Sequence, residues 1–92
     1  MEIRVPVQAI YIGDYQILIE FDNGELKIVN FKHWLDEDLK SFSDIKNEEY
    51  FKKFYIDEFG GLAWPNGWDV APDYLYDISL PAEIKPAGRQ VA

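Results

Sequence analysis

A single histidine and several clustered carboxylates are the residues whose chemistry could support catalysis or metal binding. His33 is the only histidine among the 92 residues, and cysteine is absent. A general base at His33 would need a nucleophile or a second histidine nearby, and no motif supplies either, so an exposed or capping role is the better interpretation. The sequence also contains no phosphate-binding loop and no dinucleotide fingerprint. We therefore predict a protein that is not an enzyme and that uses no cofactor.

Two acidic runs are the candidates for a metal site. They consist of Asp36, Glu37 and Asp38, and of Glu48 and Glu49. Adjacent acids on a helix point in different directions, and neither run has the alternating spacing of a calcium-binding loop. Asn47 precedes the second run and is predicted to cap a helix that begins there. Solvated helix faces are therefore predicted, with no metal site.

The most unusual local pattern lies in residues 62–76. Asn66 and Gly67 predict a tight turn because both residue types tolerate a positive φ. Asp69 follows the turn, where a carboxylate can accept hydrogen bonds from backbone amides and so fix the turn. Pro72 suits the first turn of a helix. We predict a structural role for Asp69, and catalysis by Asp69 with a neighbouring tyrosine is the alternative hypothesis.

Tryptophans flank this turn and could serve the core or a partner protein. Trp64 is predicted to lie in the core because it ends a short apolar run. Trp68 lies in the turn itself, where part of its ring can be exposed to a partner, although core packing is favoured there too. The candidate interaction site or structural hub comprises Trp64, Asn66, Gly67, Trp68, Asp69, Pro72 and Tyr76.

Three segments near the amino terminus have the pattern of antiparallel strands. Residues 5–12, 15–21 and 25–30 are rich in β-branched and aromatic residues, and glycine-containing turns separate them. The odd-numbered residues of the second segment share one face, which is predicted to lie in the core. In the third segment Lys27 is predicted to be a surface residue that can be replaced at little cost. A three-strand meander follows from this pattern.

Helical and strand patterns alternate over shorter segments downstream. Residues 31–39 have an apolar stripe typical of a helix, and residues 47–53 predict a second helix. Residues 54–57 and 62–64 predict two more strands, and residues 72–78 predict a short helix. The predicted fold class is therefore α+β, with a small antiparallel sheet, a three-strand meander plus two short strands, and two or three short helices.

A single domain is predicted over residues 1–78, because 92 residues support one modest core. Aromatic residues make up 16% of the chain, so this core should be aromatic. From Ser79 onward, prolines, a glycine and scattered charges interrupt any period. Residues 79–92 are therefore predicted to form a flexible carboxy-terminal tail.

The charge of the chain bears on its partners. Nine basic and seventeen acidic residues give a net charge of −8. This disfavours direct binding to nucleic acid, which depends on neutralising phosphates, and it favours a partner protein with a basic surface. The amino terminus lacks a signal-peptide pattern, and no apolar run approaches the roughly 20 residues of a membrane helix. A cytoplasmic protein is predicted, and an unpaired sheet edge suggests a homodimer.

A particular order of residues occurs in and before the turn. It consists of Trp64-Pro65-Asn66-Gly67, Asp69, Pro72 and Leu75-Tyr76, with Phe21-Asp22-Asn23-Gly24-Glu25 upstream. This order resembles the bacterial domain-of-unknown-function family DUF2442. The resemblance covers roughly residues 5–77, and its order of tryptophan, proline, glycine, aspartate and proline is specific for so short a span.

The resemblance implies a compact α+β fold. This fold is similar to the amino-terminal domain of longer family members that add a helix-turn-helix. This chain is expected to end before such an addition. Some short members are encoded beside another small protein, which implies a partnered, antitoxin-like role. Family members commonly carry an aspartate after the third strand, where this chain has Asn30.

Three functional hypotheses follow. The first is a noncatalytic protein-interaction module that acts as the antitoxin-like or regulatory partner of another small bacterial protein. The second is a regulator linked to nucleic acid through a partner, which the helix-turn-helix of longer family members implies. The third is an uncharacterised enzyme that uses Asp69.

Overall fold

A meander of three antiparallel strands begins the fold, and the computed structural model describes residues 4–32 and 44–82. In chain order, the elements are β1 (Pro6–Gly13), β2 (Gln16–Phe21), β3 (Leu26–Asn30), α1 (Glu48–Phe51), β4 (Tyr55–Ile56), β5 (Leu62–Ala63), β6 (Asp69–Val70), α2 (Pro72–Ile78) and β7 (Leu80–Pro81). The α+β class and the three-strand meander are confirmed.

The described strands form two antiparallel sheets instead of the one that the sequence predicts. The larger sheet has the order β1-β2-β3-β7, and the smaller sheet has the order β4-β5-β6. The predicted short strands therefore exist as β4 and β5, but they pair with each other and with β6. Only two residues form each strand of the smaller sheet, which is too short for an alternating pattern to reveal β6.

The hairpin between β1 and β2 turns at two residues with a left-handed backbone. Asp14 has a φ of 57° and Tyr15 a φ of 61°. This conformation is uncommon for a bulky residue, so tertiary contacts must hold Tyr15 in place. The Tyr15 hydroxyl donates to the Lys46 carbonyl at 2.5 Å, and its ring lies 5.1 Å from that of Phe51.

The core draws residues from both sheets and both described helices, and it is aromatic at its centre, as predicted. Along β2 the odd-numbered residues are buried and the others are half-buried, which confirms the predicted core face. The Phe51 ring packs against the rings of Tyr11, Tyr15, Phe31, Phe54 and Trp64. The buried apolar cluster consists of Ile17, Ile19, Phe21, Val29, Phe31, Ile45, Phe51, Leu62, Trp64, Val70 and Leu75.

Both described helices begin where the sequence predicts. Oδ1 of Asn47 accepts hydrogen bonds from the backbone amides of Glu49 and Tyr50, so Asn47 caps α1. Pro72 lies in the first turn of α2, where no amide hydrogen is needed. Leu75 is the buried residue of α2 and anchors it on the core.

The predicted helix over residues 31–39 lies mostly outside the described part of the chain. Its first residue, Phe31, is buried, and its amide donates to the Tyr15 carbonyl at 2.9 Å, which continues the pairing of β3. Phe31 therefore belongs to the end of the sheet. His33 and the acids of residues 36–38 lie outside the described residues.

Residues 79–82 belong to the folded domain, although the sequence predicts a tail from residue 79. Ser79 is buried, and Leu80 and Pro81 pair with Ile28 and Lys27. The Ala82 amide donates to the Leu26 carbonyl at 2.9 Å. The tail prediction missed this strand because its pairing with β3 depends on residues more than 50 positions away in the sequence. Residues 83–92 lie outside the described part.

Candidate interaction surface

Three hydrogen bonds close the turn between β5 and β6. The Gly67 amide donates to the Trp64 carbonyl at 2.9 Å, and the Trp64 amide donates to the Trp68 carbonyl at 2.9 Å. The Trp68 amide donates to Oδ1 of Asn66 at 3.0 Å. Gly67 has a φ of 95°, a conformation that glycine adopts readily. The Asn-Gly pair thus supplies both the side-chain acceptor and the backbone conformation of the turn.

Both tryptophans of this turn pack into the aromatic core. Trp64 is buried, and its Nε1 donates to the Phe51 carbonyl at 2.8 Å. Trp68 is half-buried, with its ring 5.0 Å from that of Trp64 and 6.4 Å from that of Phe31. The core location predicted for Trp64 is confirmed, and ring packing also takes up part of the Trp68 surface.

Asp69 does not make the contacts that the sequence predicts for it. It pairs with Ala63 in the smaller sheet, and its side chain is exposed because the next residue, Val70, points into the core. No hydrogen bond to its carboxylate is found within residues 4–32 and 44–82. The residue at the amino-terminal cap of α2 is Ala71, whose side chain makes no capping bond. Asn66, and not Asp69, fixes the turn.

Tyr76 joins α2 to the turn between β2 and β3. Its ring packs edge-on against that of Phe21 at 5.1 Å, and its hydroxyl donates to Oε1 of Glu25. The hydrogen bond from Tyr76 lowers the pKa of the Glu25 carboxyl below its usual range. The same bond raises the pKa of the Tyr76 hydroxyl above its usual range. Both shifts favour an ionised Glu25 carboxylate and a protonated Tyr76 hydroxyl, which is the state in which the tyrosine donates to the carboxylate.

Lys27 lies on the inner face of the larger sheet, beside α2. The residue is only 9% exposed. Its Nζ donates to the Tyr76 carbonyl at 2.9 Å and lies 3.7 Å from the centre of the Tyr76 ring. The prediction that Lys27 is a surface residue is wrong, because the alternation along β3 places it on the same face as the buried Val29. The cation ties β3 to the last turn of α2.

Four aliphatic side chains cross the opposite face of the larger sheet, which we call the open face. The strand register pairs Ile10 with Leu18, Leu18 with Ile28, and Ile28 with Leu80. These residues form one continuous line over β1, β2, β3 and β7, which we call the aliphatic row. Leu80 is 71% exposed and Ile10 is 45% exposed. The row therefore presents apolar surface to solvent.

Polar side chains flank the aliphatic row on both sides. Gln8 pairs with Glu20 on one side of it, and Gln16 pairs with Asn30 on the other. Two concave regions lie along this face. One, of about 40 Å³, is lined by Gln8, Ile10, Leu18, Glu20 and Leu26. The other, of about 420 Å³, is lined by Gln16, Ile28, Asn30, Ile78, Leu80 and Pro81. The open face is thus an apolar line with shallow grooves and polar margins.

Comparison with known proteins identifies the family. A family model described as "Protein of unknown function (DUF2442)" matches residues 6–81, which is most of the chain. The chain belongs to the DUF2442 family. No curated protein and no solved structure matches it. The matched segment of this DUF2442 domain ends in β7, in agreement with the pairing of that strand.

The residues that carry the DUF2442 resemblance hold the fold together at two places. Asn66 and Gly67 form the turn of the smaller sheet, and Glu25 and Tyr76 join the larger sheet to α2. Asn30, where the resemblance implies an aspartate in other family members, accepts a hydrogen bond at its Oδ1 from the Lys32 amide at 2.9 Å. That contact needs one side-chain oxygen, which asparagine and aspartate both possess.

The predicted site of this DUF2442 domain leaves out the open face. Leu18 and Ile28 stand at outward positions of β2 and β3, where a solvated sheet normally carries polar residues. The apolar residues at these outward positions were visible in the sequence. The row itself became evident only from the register, which aligns the four strands. Trp64, Trp68 and Tyr76 pack on the core side instead.

Neither a metal-binding cluster nor a membrane-spanning helix occurs in the described residues of this domain. Within residues 4–32 and 44–82, no three side chains of His, Cys, Asp or Glu come together as ligands for an ion. None of the helices in this described part is long and apolar enough to cross a membrane.

Proposed function

We propose that this DUF2442 chain is a noncatalytic protein-interaction module that binds through the open face. The observation that carries the proposal is the aliphatic row. An antiparallel sheet with one solvated face normally alternates apolar residues inward with polar residues outward. A contiguous exposed apolar patch with a polar margin is characteristic of a protein-binding surface. Ile10 and Leu80 are the most exposed members of the row.

The open face supports binding better than the tryptophan turn does. Trp68, the predicted aromatic contact, packs on Trp64 and Phe31 and is half-buried. The hydrogen bonds of Asn66 and the backbone of Gly67 serve the turn itself. We therefore assign the turn to the fold and the open face to recognition.

A noncatalytic role is supported by the surroundings of the best candidate acid. The Asp69 side chain is exposed on the two-residue strand β6. Catalytic carboxylates usually lie in clefts that exclude water. We propose that this protein is bacterial and works in the cytoplasm, as an antitoxin-like or regulatory partner of another protein.

We expect such a partner to have a basic surface, which would contact acidic residues outside the open face. Asp44 and Glu49 line an open groove of about 550 Å³ beside α1, together with Asn47, Tyr50 and Lys53. Surface carboxylates accelerate association with a basic partner and contribute less to affinity than apolar anchors do. This groove shares no lining residue with the open face, so it offers a basic surface a separate contact, whereas the open face supplies the apolar contact.

Affinity capture from the native host tests the proposal. The bait is the tagged chain at moderate salt, compared with Ile10→Glu and Leu80→Glu, which place a charge in the aliphatic row. Phe59→Glu is the matched control, because Phe59 is 77% exposed on the turn before β5. We expect wild type and Phe59→Glu to recover a stoichiometric protein, which can be another chain or an untagged copy, and the two row variants to lose it. Equal recovery by all four baits would refute binding through the open face.

A further inference from the structure

The aliphatic row also indicates what covers the open face. We infer that the occupant is a second copy of this chain, so that two larger sheets pack face to face as a symmetric dimer. This inference rests on the proposed function, which makes the open face the binding surface. It goes further by naming the partner and the residues that meet.

The charge of the open face favours a second copy. The whole chain has a net charge of −8, so two copies repel each other over most of their surfaces. Glu20 is the one charged residue among the described strand residues that pair beside the row, where its partners are Gln8 and Leu26, and the uncharged Gln16 and Asn30 flank the other side. The open face is therefore where two copies approach with little repulsion. A basic protein would gain little from so neutral a face.

A two-fold axis parallel to the aliphatic row makes the face complementary to itself. Sheets that pack face to face lie about 10 Å apart and interleave their side chains. With this axis, each residue of the row meets its own copy, and the two margins exchange places. Glu20 then faces Gln16 of the second copy, whose amide can donate a hydrogen bond to the carboxylate. The two Glu20 carboxylates stay apart.

The size of the face predicts a reversible dimer. The three longer strands and the two-residue β7, about 4.8 Å apart, give a projected area of about 300 Å². Two copies would therefore bury about 600 Å² of projected area and more accessible area because the surface is uneven, which lies below the roughly 1,200 Å² of stable specific interfaces. We therefore expect the mass to rise with concentration instead of remaining dimeric under all conditions.

Light scattering and sedimentation over micromolar to millimolar concentration test the inference. We expect wild type to rise from the monomer mass of 10.8 kDa towards twice that value. Ile10→Glu places a carboxylate opposite its own copy and should weaken the dimer about tenfold or more. Phe59→Glu adds the same charge outside the face and should dimerise like wild type. An equimolar mixture of Ile10→Glu and Ile10→Lys should form a mixed dimer, because the two charges then meet as an ion pair.

The outcomes separate this inference from the proposed function. Wild type that stays at 10.8 kDa throughout overturns the dimer, and if Ile10→Glu then still abolishes capture of another protein, the proposed function stands. Wild type that stays monomeric, with capture unaffected by Ile10→Glu, overturns both. A dimer that resists Ile10→Glu uses another surface and also overturns the inference. Failure of the oppositely charged pair to associate overturns the row-on-row packing.

Discussion

At the scale of single residues, Asn66 and Gly67 hold the turn that Asp69 was predicted to hold. The side-chain oxygen of Asn66 accepts the Trp68 amide, and Gly67 takes a φ of 95°. A carbon atom added at Gly67 would meet no atom within 4 Å, so any cost of replacing this glycine comes from the backbone and not from a clash. Turn stability therefore depends on these two residues.

We expect Gly67→Val to lower the free energy of unfolding by about 1 to 3 kcal/mol, because a β-branched residue is strained at a positive φ. Asn66→Ala should cost about 0.5 to 2 kcal/mol, as for the loss of a side-chain acceptor at a cap. Asp69→Ala is the control and should change stability by less than about 0.5 kcal/mol. Urea denaturation measures all three. A larger loss in Asp69→Ala than in Asn66→Ala would contradict this assignment.

At the scale of elements, Lys27 joins β3 to the carboxy-terminal end of α2. Its Nζ donates to the Tyr76 carbonyl, which also accepts a hydrogen bond from Oγ of Ser79 at 3.0 Å. Since α2 contains only seven residues, its own hydrogen bonds hold it weakly. Tertiary contacts such as Lys27 and the buried Leu75 therefore keep it on the sheet.

We expect Lys27→Met to lower the free energy of unfolding by about 1.5 to 3 kcal/mol, the usual contribution of a hydrogen bond to a charged group. Methionine keeps the apolar stem and removes only the donor and the charge. Lys46→Gln is the control, because Lys46 is exposed, and it should shift stability by less than about 0.5 kcal/mol. Thermal and urea unfolding give the comparison. Equal stability of both variants would show that the Lys27 contact contributes nothing measurable.

At the scale of the whole molecule, the net charge of −8 and the Glu25–Tyr76 contact respond to pH in opposite directions. Acidification relieves the repulsion among carboxylates. It also protonates Glu25, whose pKa in the folded chain is lowered mainly by the Tyr76 hydrogen bond. The stability from that lowered pKa is present above the unfolded-state value and is lost as the pH falls through the folded one.

We expect stability to fall more steeply below about pH 4.5 in wild type than in Glu25→Gln, which cannot titrate there.

At the alkaline end, the pKa of Tyr76 is raised mainly by its bond to Glu25. That stability is present below about pH 10 and is lost as the pH rises towards the folded value, so Tyr76→Phe should show a shallower decline. Urea midpoints measured across both ranges test the pair. Parallel profiles for wild type and both variants would contradict the coupling.

The sequence by itself determined the local features of this protein. The Asn66-Gly67 turn, the Asn47 cap, the helix start at Pro72 and the buried face of β2 all follow from steric and hydrogen-bonding preferences within a few residues. The residue order also carried the DUF2442 resemblance, which the family match confirms. Such features need no knowledge of distant parts of the chain.

The tertiary structure decided which distant residues meet. The pairing of β7 with β3 adds residues 80–81 to the sheet. The packing of α2 buries Lys27 on the inner face and gives its Nζ the Tyr76 carbonyl as a partner. The aliphatic row exists because the register aligns one outward residue from each of four strands. A shift of one residue in any strand would turn its member of the row to the other face, so local patterns alone could not determine the open face.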